Sequence, residues 1–268
     1  MRRIMLRVAY DGTAYVGWQV QDNGPTIEGE LNKALKILEE MAGSSFTPIV
    51  IGGSRTDSGV HALCNVAVFD TESNIPGEKY KYALNQRLPE DIKVVSSCEV
   101  ASAFHPRHTD TKKTYEYRIY NAPIPLPTKR LYAYYTYNSL DVDKMNEAAE
   151  YLLGEHDFAA FCASGAVVES TLRTIYSSSV YIEERPGTNG QHNSGRDIVI
   201  RVTGNGFLYN MVRIIAGTLI EIGRGAKEPS DMEKIIASCQ RSMAGPTAPA
   251  CGLTLVEYEF AQNPEFCG

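Results

Sequence analysis

Both halves of the chain show the same order of predicted elements, and this repetition constrains the fold more than any other feature. In the first half, residues 4–10 alternate apolar and polar side chains as a strand does. Thr26 has the side chain of an N-cap, and apolar residues at helical spacing predict a helix from there to Met41. Strands are predicted at 65–70 and at 92–100.

The second half repeats this order. Residues 114–120 alternate strongly, with Tyr115, Tyr117 and Ile119 on one face of the predicted strand. A helix at 141–153 and a strand pair at 180–183 and 198–203 follow. Several strands are joined by loops too short for crossover helices, which favours antiparallel pairing. We therefore predict an α+β fold with mostly antiparallel sheet.

The division of the chain follows from the repetition. We predict a first α+β subdomain at 1–110 and a second at 111–268. Within the second, the Gly-, Asn- and Ser-rich stretch 184–197 is expected to be a mobile loop. An apolar helix is predicted at 207–222. Ser230-Asp231-Met232-Glu233 has the pattern of a capping box that opens another helix, and 253–260 reads as a closing strand.

Composition excludes several classes of protein. The 268 residues are 43% hydrophobic and 22% charged, as in ordinary globular proteins. No apolar run approaches the roughly 20 residues of a membrane helix, and the N-terminus lacks the apolar core of a signal peptide. The six cysteines include no Cys-x-x-Cys pair, which argues against zinc and redox sites. We expect a cytoplasmic protein with reduced thiols, without a membrane segment.

The charge pattern leaves a nucleic-acid partner open. The formal net charge is −6, which argues weakly against such a partner, but binding depends on local charge. In residues 101–130, six basic residues stand against two acidic ones, a local excess of four positive charges. The basic residues are Arg107, Lys112, Lys113, Arg118, Lys129 and Arg130. This segment is either a solvated strand face or a phosphate-binding surface.

The segment 53–62 concentrates chemistry-bearing residues. Its sequence, Gly-Ser-Arg-Thr-Asp-Ser-Gly-Val-His-Ala, places Arg55 and Asp57 two positions apart in a loop bounded by glycines. Catalytic groups are often carried on loops that a rigid scaffold holds. The alternative is a polar turn in which Asp57 bonds its own backbone and Arg55 pairs with it locally. Residue types alone do not choose between these interpretations.

Four motifs resemble one known family. Arg55 to Ala62 is similar to the active-site signature of the tRNA pseudouridine synthase A (TruA) family. Tyr10 to Gln19 resembles the family's opening motif, Lys113 to Tyr117 its tyrosine-bearing strand, and Gly206 to Arg213 its basic-residue helix. The motifs occur in the family's order and span most of the chain. The resemblance implies two ferredoxin-like subdomains whose sheets join around a central cleft.

The resemblance also implies a function. The expected activity is the isomerisation of uridine to pseudouridine at positions 38, 39 and 40 of the tRNA anticodon stem-loop. Because substrate and product are isomers, no cofactor and no metal are expected. The family is homodimeric, so tRNA and a second copy of the chain are the expected partners.

The resemblance assigns roles to three catalytic residues. Asp57 would be the nucleophile, and the substrate carbon that it attacks stays open. Arg213 would keep this carboxylate ionised and oriented; the alternative is an arginine that extends to the helix surface. Tyr115 would lie against the target uracil and take part in proton removal from C5. Tyr117, on the same strand face, is the residue most easily confused with it.

Further residues are expected to bind the RNA or support the site. Arg55 is the family's candidate to occupy the space of the flipped nucleotide. Arg107, Lys112, Lys113 and Lys129 are candidate phosphate contacts. His61 is expected to be a structural hydrogen-bonding residue, and Asp11 and Trp18-Gln19 are expected to support the cleft.

Two departures from the family pattern concern the active-site loop. Ser54 stands where the family mostly has glycine, and Ser58 stands where alanine is common. Neither removes a catalytic atom. Two other functions remain: a catalytically silent RNA-binding module of the same fold, and a nucleoside hydrolase that uses Asp57. A hydrolase generally needs a second carboxylate, and no comparable motif carries one.

Overall fold

The computed structural model of the chain describes residues 1–43, 45–165, 168–184 and 195–261. The chain divides into two compact units. The first comprises Met1–Lys112 together with Leu255–Gly268, and the second comprises Lys113–Thr254. The sequence predicts a division after residue 110, two positions before the boundary between Lys112 and Lys113. It also assigns the predicted strand 253–260 to the second subdomain, whereas most of this strand belongs to the first unit.

The described residues form ten strands and five α-helices. Up to residue 121 these are β1 Arg2–Tyr10, α1 Ile27–Met41, β2 Ile51–Gly52, β3 His61–Thr71, α2 Tyr80–Asn85, β4 Ile92–Val100 and β5 Thr111–Asn121. Then follow β6 Tyr134–Thr136, α3 Val142–Glu150, β7 Gly154–Asp157, β8 Leu172–Glu183, β9 Arg196–Gly204, α4 Met211–Gly223, α5 Asp231–Ser238 and β10 Leu253–Phe260. The fold is α+β, as predicted.

The first unit is built on an antiparallel sheet in the order β4-β1-β3-β10, with the short β2 paired to β3. The helix α1 begins where the sequence predicts. The Thr26 hydroxyl accepts a hydrogen bond from the Gly29 amide at 3.1 Å, which satisfies one of the free donors of the first turn. Ile27, Leu31 and Leu35 are buried along one face of this helix, so its apolar periodicity forms part of the core.

The second unit contains the sheet β5-β9-β8-β7, with β6 parallel to β5. The predicted strand pair is confirmed as β8 and β9, which pair antiparallel over a longer stretch than the sequence indicates. The predicted loop 184–197 lies mostly outside the described residues. The helix α3 packs on β8 and on α4. Asp141 caps α3 by accepting a hydrogen bond from the Lys144 amide at 3.1 Å.

Two helix predictions are wrong at the N-terminus. The helix predicted from residue 207 begins only at Met211, because Asn210 has a left-handed backbone with φ of 59° that interrupts helical geometry. At α5, the Ser230 backbone is helical and its side chain makes no capping bond. Asp231 instead accepts a hydrogen bond from the Glu228 amide at 3.0 Å, so the capping box predicted from the sequence does not form.

Two further observations bear on the class of protein. Across the described ranges, no helix is both long and apolar enough to cross a membrane. The cysteines in these ranges are free thiols, which agrees with the absence of paired spacing in the sequence; they are Cys64, Cys98, Cys162, Cys239 and Cys251.

Candidate active site

The loop that carries Asp57 connects β2 to β3 and is anchored on both sides of the carboxylate. Thr56 is buried, and its hydroxyl lies 2.7 Å from the Tyr10 hydroxyl. The Thr56 carbonyl accepts a hydrogen bond from the Trp18 amide at 3.0 Å. On the other side, the Val60 amide donates to the Asp57 carbonyl at 3.1 Å and closes a turn. Asp57 itself is half-buried. Because the residues on both sides of it are hydrogen-bonded, the backbone that carries its carboxylate is fixed.

Asn65 fastens the start of the same loop. This side chain on β3 is fully buried. Its amide nitrogen donates to the Ser54 carbonyl at 2.9 Å and to the Tyr10 hydroxyl at 3.2 Å. Its oxygen accepts from the Ser54 amide at 3.3 Å and from the Val66 amide at 2.9 Å. Asn65 thus links β1, β3 and the loop, and it meets the requirement that a buried amide be fully hydrogen-bonded.

The N-terminal motif packs directly against this loop. Trp18 is fully buried, and a side chain at Gly52 would overlap its indole nitrogen, so the glycine permits this packing. His61 is buried, with Nδ1 3.1 Å from the Gly12 amide and 3.2 Å from an Asp11 carboxylate oxygen. Nδ1 accepts the Gly12 hydrogen bond when it carries no proton. His61 is thus a structural hydrogen-bonding residue, and Asp11 and Trp18 lie against the two ends of the Asp57 loop.

Sequence reasoning missed Tyr10 and Asn65 as parts of the site. Tyr10 reads as the last residue of one predicted strand, and Asn65 as the first residue of the next. The available signal was Asn65 itself, because a polar amide inside an apolar strand is rarely buried without hydrogen-bond partners.

Basic residues lie close together in the first unit. Arg55 is exposed on the loop. The Arg107 Nε donates to the Gly52 carbonyl at 2.7 Å, which fixes this arginine at the end of β2. Burial and the neighbouring Arg55 lower the pKa of Arg107. Lys112 is exposed at the beginning of β5. The structure therefore brings Arg107 near the loop that carries Arg55 and Asp57.

Two other basic residues of the 101–130 segment are neutralised by carboxylates that lie outside it. Lys129 donates to both carboxylate oxygens of Asp197, at 2.9 and 2.8 Å. Arg118 donates to Glu183 at 2.7 Å, and this carboxylate raises the pKa of the arginine. The local excess of four charges is thus an overestimate, because the count covered only residues close in sequence. Lys129 is a weaker phosphate-contact candidate than the sequence suggests.

In the second unit, Tyr115 and Tyr117 have different environments. Tyr115 is buried, with 7% of its surface exposed, and its ring packs edge-to-face on Phe207, with ring centroids 5.1 Å apart. Tyr117 is fully buried, its hydroxyl donates to the Pro249 carbonyl at 2.9 Å, and burial raises its pKa. The Tyr117 hydroxyl is therefore part of the core. Tyr115 is the better candidate to face a substrate.

Arg213 lies in the first turn of α4 and is held in place. Its Nε donates to the Ala248 carbonyl at 2.8 Å, and its Nη1 donates to the Asn210 side-chain oxygen at 2.7 Å. The Ala248 amide in turn donates to the Arg213 carbonyl at 3.1 Å. The side chain is half-buried and turned toward these groups, unlike an arginine that extends along the helix surface. Lys113 is half-buried at the start of this unit.

No group of three or more His, Cys, Asp or Glu side chains in the described ranges is arranged to hold a metal ion. Asp57 thus lies on a loop held by hydrogen bonds, with Arg55 on the same loop and Arg107 bound at its start. Acidic and basic side chains carried on a fixed backbone are typical of an enzyme centre.

Comparison with known proteins identifies the family. The model of the tRNA pseudouridine synthase family matches residues 7–108 and 148–261. The tRNA pseudouridine synthase A of Ruminiclostridium cellulolyticum is 48% identical over 96% of this chain and 99% of its own. The tRNA pseudouridine synthase A of Brevibacillus brevis is 43% identical over 96% of this chain and 99% of its own. The tRNA pseudouridine synthase A 2 of Clostridium perfringens is 45% identical over 95% of this chain and 98% of its own. The chain belongs to the tRNA pseudouridine synthase A (TruA) family.

A solved Cbf5-Nop10-Gar1 complex is also matched, with 13% identity and a TM-score of 0.29 over 83% of this chain and 55% of the other. This likeness is too weak to support a statement about the fold.

Proposed function

We propose that this chain converts uridine to pseudouridine at positions 38, 39 and 40 of the tRNA anticodon stem-loop, with Asp57 as the nucleophile. Family membership supplies the coarser part: the chain is a tRNA pseudouridine synthase, an isomerase. The anchoring of the Asp57 loop by Tyr10, Asn65 and Trp18 supports the finer part, because a nucleophile acts efficiently when its position is set before the substrate binds.

The chemistry sets the requirements for the site. The reaction breaks the N1–C1′ bond of uridine and joins C1′ to C5; C5 then loses its proton, and N1, which is no longer bonded to the sugar, gains one. Atoms balance without an external reactant, so no cofactor is proposed. A carboxylate that attacks the sugar or the base meets the need for a nucleophile. Asp57 has this role in the proposal, and the atom that it attacks is left open.

Arg213 and Tyr115, from the second unit, complete the proposed catalytic group. The guanidinium of Arg213 would favour the ionised form of Asp57 and orient it. Its existing bonds to Ala248 and Asn210 support this role, because they limit the positions that the side chain adopts. Tyr115 would stack against the uracil and assist proton removal from C5. Its contact with Phe207 fixes the plane of its ring.

The remaining proposed contacts hold the RNA. A paired uridine is inaccessible until it is flipped out of its stack. The exposed side chain of Arg55 is proposed to fill the vacated space. Arg107, Lys112 and Lys113 are proposed to bind phosphates. The proposal also includes two ferredoxin-like subdomains that line a central cleft, a homodimer and a cytoplasmic location.

The products that the wild-type protein forms on anticodon stem-loops test this function. Three RNAs would each carry uridine at only one of positions 38, 39 and 40, together with uridines elsewhere in the arm, and pseudouridine would be mapped in each. We expect pseudouridine at all three positions and none at uridines placed elsewhere in the arm. Free uracil and an abasic site would indicate the hydrolase instead. Binding without any product would indicate a silent RNA-binding module.

A further inference from the structure

Arg173, on β8, has an unusual environment for an arginine. Its side chain is half-buried, yet its Nη1 donates only to backbone carbonyls, those of Ser170 at 3.0 Å and Leu172 at 2.6 Å. Among the residues that the structure describes, no carboxylate forms an ion pair with it. Burial lowers the pKa of Arg173, and among the described groups Cys162 alone opposes this shift. An arginine that is partly desolvated without a counter-ion is costly to the fold.

Arg173 lies beside the turn that precedes Phe207, the residue on which the Tyr115 ring packs. A side-chain carbon added at Gly206 would lie 3.7 Å from the Arg173 Nε, so the guanidinium group lies beside this glycine. Phe207, the next residue, packs edge-to-face on Tyr115. Asn205 holds the turn against β8 through two hydrogen bonds. Its side-chain oxygen accepts from the Thr174 backbone amide at 3.0 Å, and its own backbone amide donates to the Thr174 carbonyl at 3.1 Å.

We propose that Arg173 binds a phosphodiester of the RNA next to the nucleotide that faces Tyr115. This inference rests on the proposed function and adds an anion-binding position to the same site. A guanidinium group matches a phosphate through paired, charge-assisted hydrogen bonds, and the substrate phosphate supplies the negative charge that the fold does not. The turn at Gly206 keeps the arginine at a fixed distance from the Phe207–Tyr115 pair. When a base stacks on this pair, the phosphodiester of its nucleotide lies within reach of Arg173.

The salt dependence of RNA binding tests the charge. In a protein made unreactive by Asp57→Asn, the dissociation constant for an anticodon stem-loop would be measured over a range of salt concentrations. Arg173→Gln should weaken binding about tenfold. It should also reduce the slope of log affinity against log salt by about 0.7 to 0.9, the value for one phosphate contact. Arg173→Lys should keep most of the slope.

A matched control is Arg224→Gln. Arg224 follows α4 and donates to the Tyr134 hydroxyl and to the Thr136 hydroxyl, so the variant also removes one positive charge from the second unit. It should leave the slope unchanged. A misfolded fraction of any variant shifts the apparent affinity by a constant factor and does not change the slope. An unchanged slope in Arg173→Gln, or an equal loss in Arg224→Gln, would overturn the inference.

A second measurement identifies the phosphate. Stem-loops in which one linkage beside the target uridine is a neutral methylphosphonate would be compared with the native RNA. If Arg173 binds that linkage, neutralising it weakens binding to the protein that retains Arg173 and has no further effect on Arg173→Gln. Fully additive losses at both flanking linkages contradict the proposal. Pseudouridine formation by the wild type is measured on the native stem-loop. If no pseudouridine forms there, the proposed function is overturned, whereas the phosphate contact of Arg173 is judged by the binding measurements alone.

Discussion

At the level of single residues, the buried hydroxyl of Tyr10 connects the groups that hold the Asp57 loop. It lies 2.7 Å from the Thr56 hydroxyl and accepts a hydrogen bond from Asn65 at 3.2 Å. Burial raises the pKa of Tyr10, so the hydroxyl keeps its proton and remains able to donate. The backbone beside Asp57 is thereby tied to β1 and β3, which are central strands of the first unit. Loss of this one oxygen should loosen the loop that carries Asp57.

Tyr10→Phe tests this role. The variant loses two buried hydrogen bonds, so the free energy of unfolding should fall by about 1 to 2 kcal/mol. Because the carboxylate is no longer held, kcat for pseudouridine formation should fall about tenfold while KM changes less. Tyr80→Phe is the control, since the Tyr80 hydroxyl is buried and bonds Thr71 at 3.0 Å in the same unit. If both variants lose stability and neither loses turnover, Tyr10 does not position Asp57.

At the level of elements, the N-terminus of α4 presents Arg213 in one orientation. Asn210 adopts a left-handed backbone just before the helix, and its side chain accepts a hydrogen bond from the arginine. The segment around Ala248 lies against the same helix. A side chain at Gly217 would overlap the Pro246 carbonyl, so glycine is required for this approach. The helix and the segment together hold the guanidinium group from two sides.

Substitution of Asn210 separates its backbone role from its side-chain role. Asn210→Gly keeps the left-handed conformation but removes the acceptor, so kcat should fall about tenfold with a change in stability of less than about 0.5 kcal/mol. Asn210→Asp keeps the acceptor and should retain turnover. Cys239→Gly, at the other non-glycine left-handed residue in the described part of the chain, should leave kcat unchanged. Full turnover in Asn210→Gly would show that the Asn210 side chain does not position Arg213 for the reaction.

The elements also show what the sequence could and could not predict. The strands β4 and β10 and the helix α1 follow their patterns, because periodicity and a Thr cap are local properties. The predicted start of α4 is wrong because the apolar pattern does not reveal the left-handed backbone of Asn210, after which the helix begins at Met211. Strand β2, two residues long, carries too little pattern to be recognised. The support of Asp57 by Asn65 likewise joins positions that no local pattern relates.

At the level of the whole molecule, an acidic protein with a net charge of −6 is proposed to bind a polyanion. Such binding depends on where basic side chains lie and on how far each is exposed, not on the total charge. Lys112 is exposed at the start of β5, whereas Lys129 is bound by both carboxylate oxygens of Asp197. The two lysines therefore differ in their expected contribution, although the sequence presents them alike.

Comparison of Lys112→Gln with Lys129→Gln tests this difference. Loss of a phosphate contact by Lys112→Gln should reduce the salt slope of RNA binding by about 0.7 to 0.9. Lys129→Gln should leave the slope nearly unchanged. It should lower the free energy of unfolding instead, because the buried Asp197 loses its ion pair with Lys129. Equal slopes for the two variants would show that the ion pair between Lys129 and Asp197 does not keep this lysine from the RNA.

The central claim is that Asp57 is the nucleophile of a tRNA pseudouridine synthase. The most direct measurement is position-resolved pseudouridine mapping on tRNA after reaction with Asp57→Asn, beside wild type and the control Asp22→Asn, which changes an exposed carboxylate of the same unit. We predict that Asp57→Asn binds tRNA and forms no pseudouridine at positions 38, 39 and 40, while Asp22→Asn reacts as wild type does. Pseudouridine formed at these positions by Asp57→Asn would contradict the account.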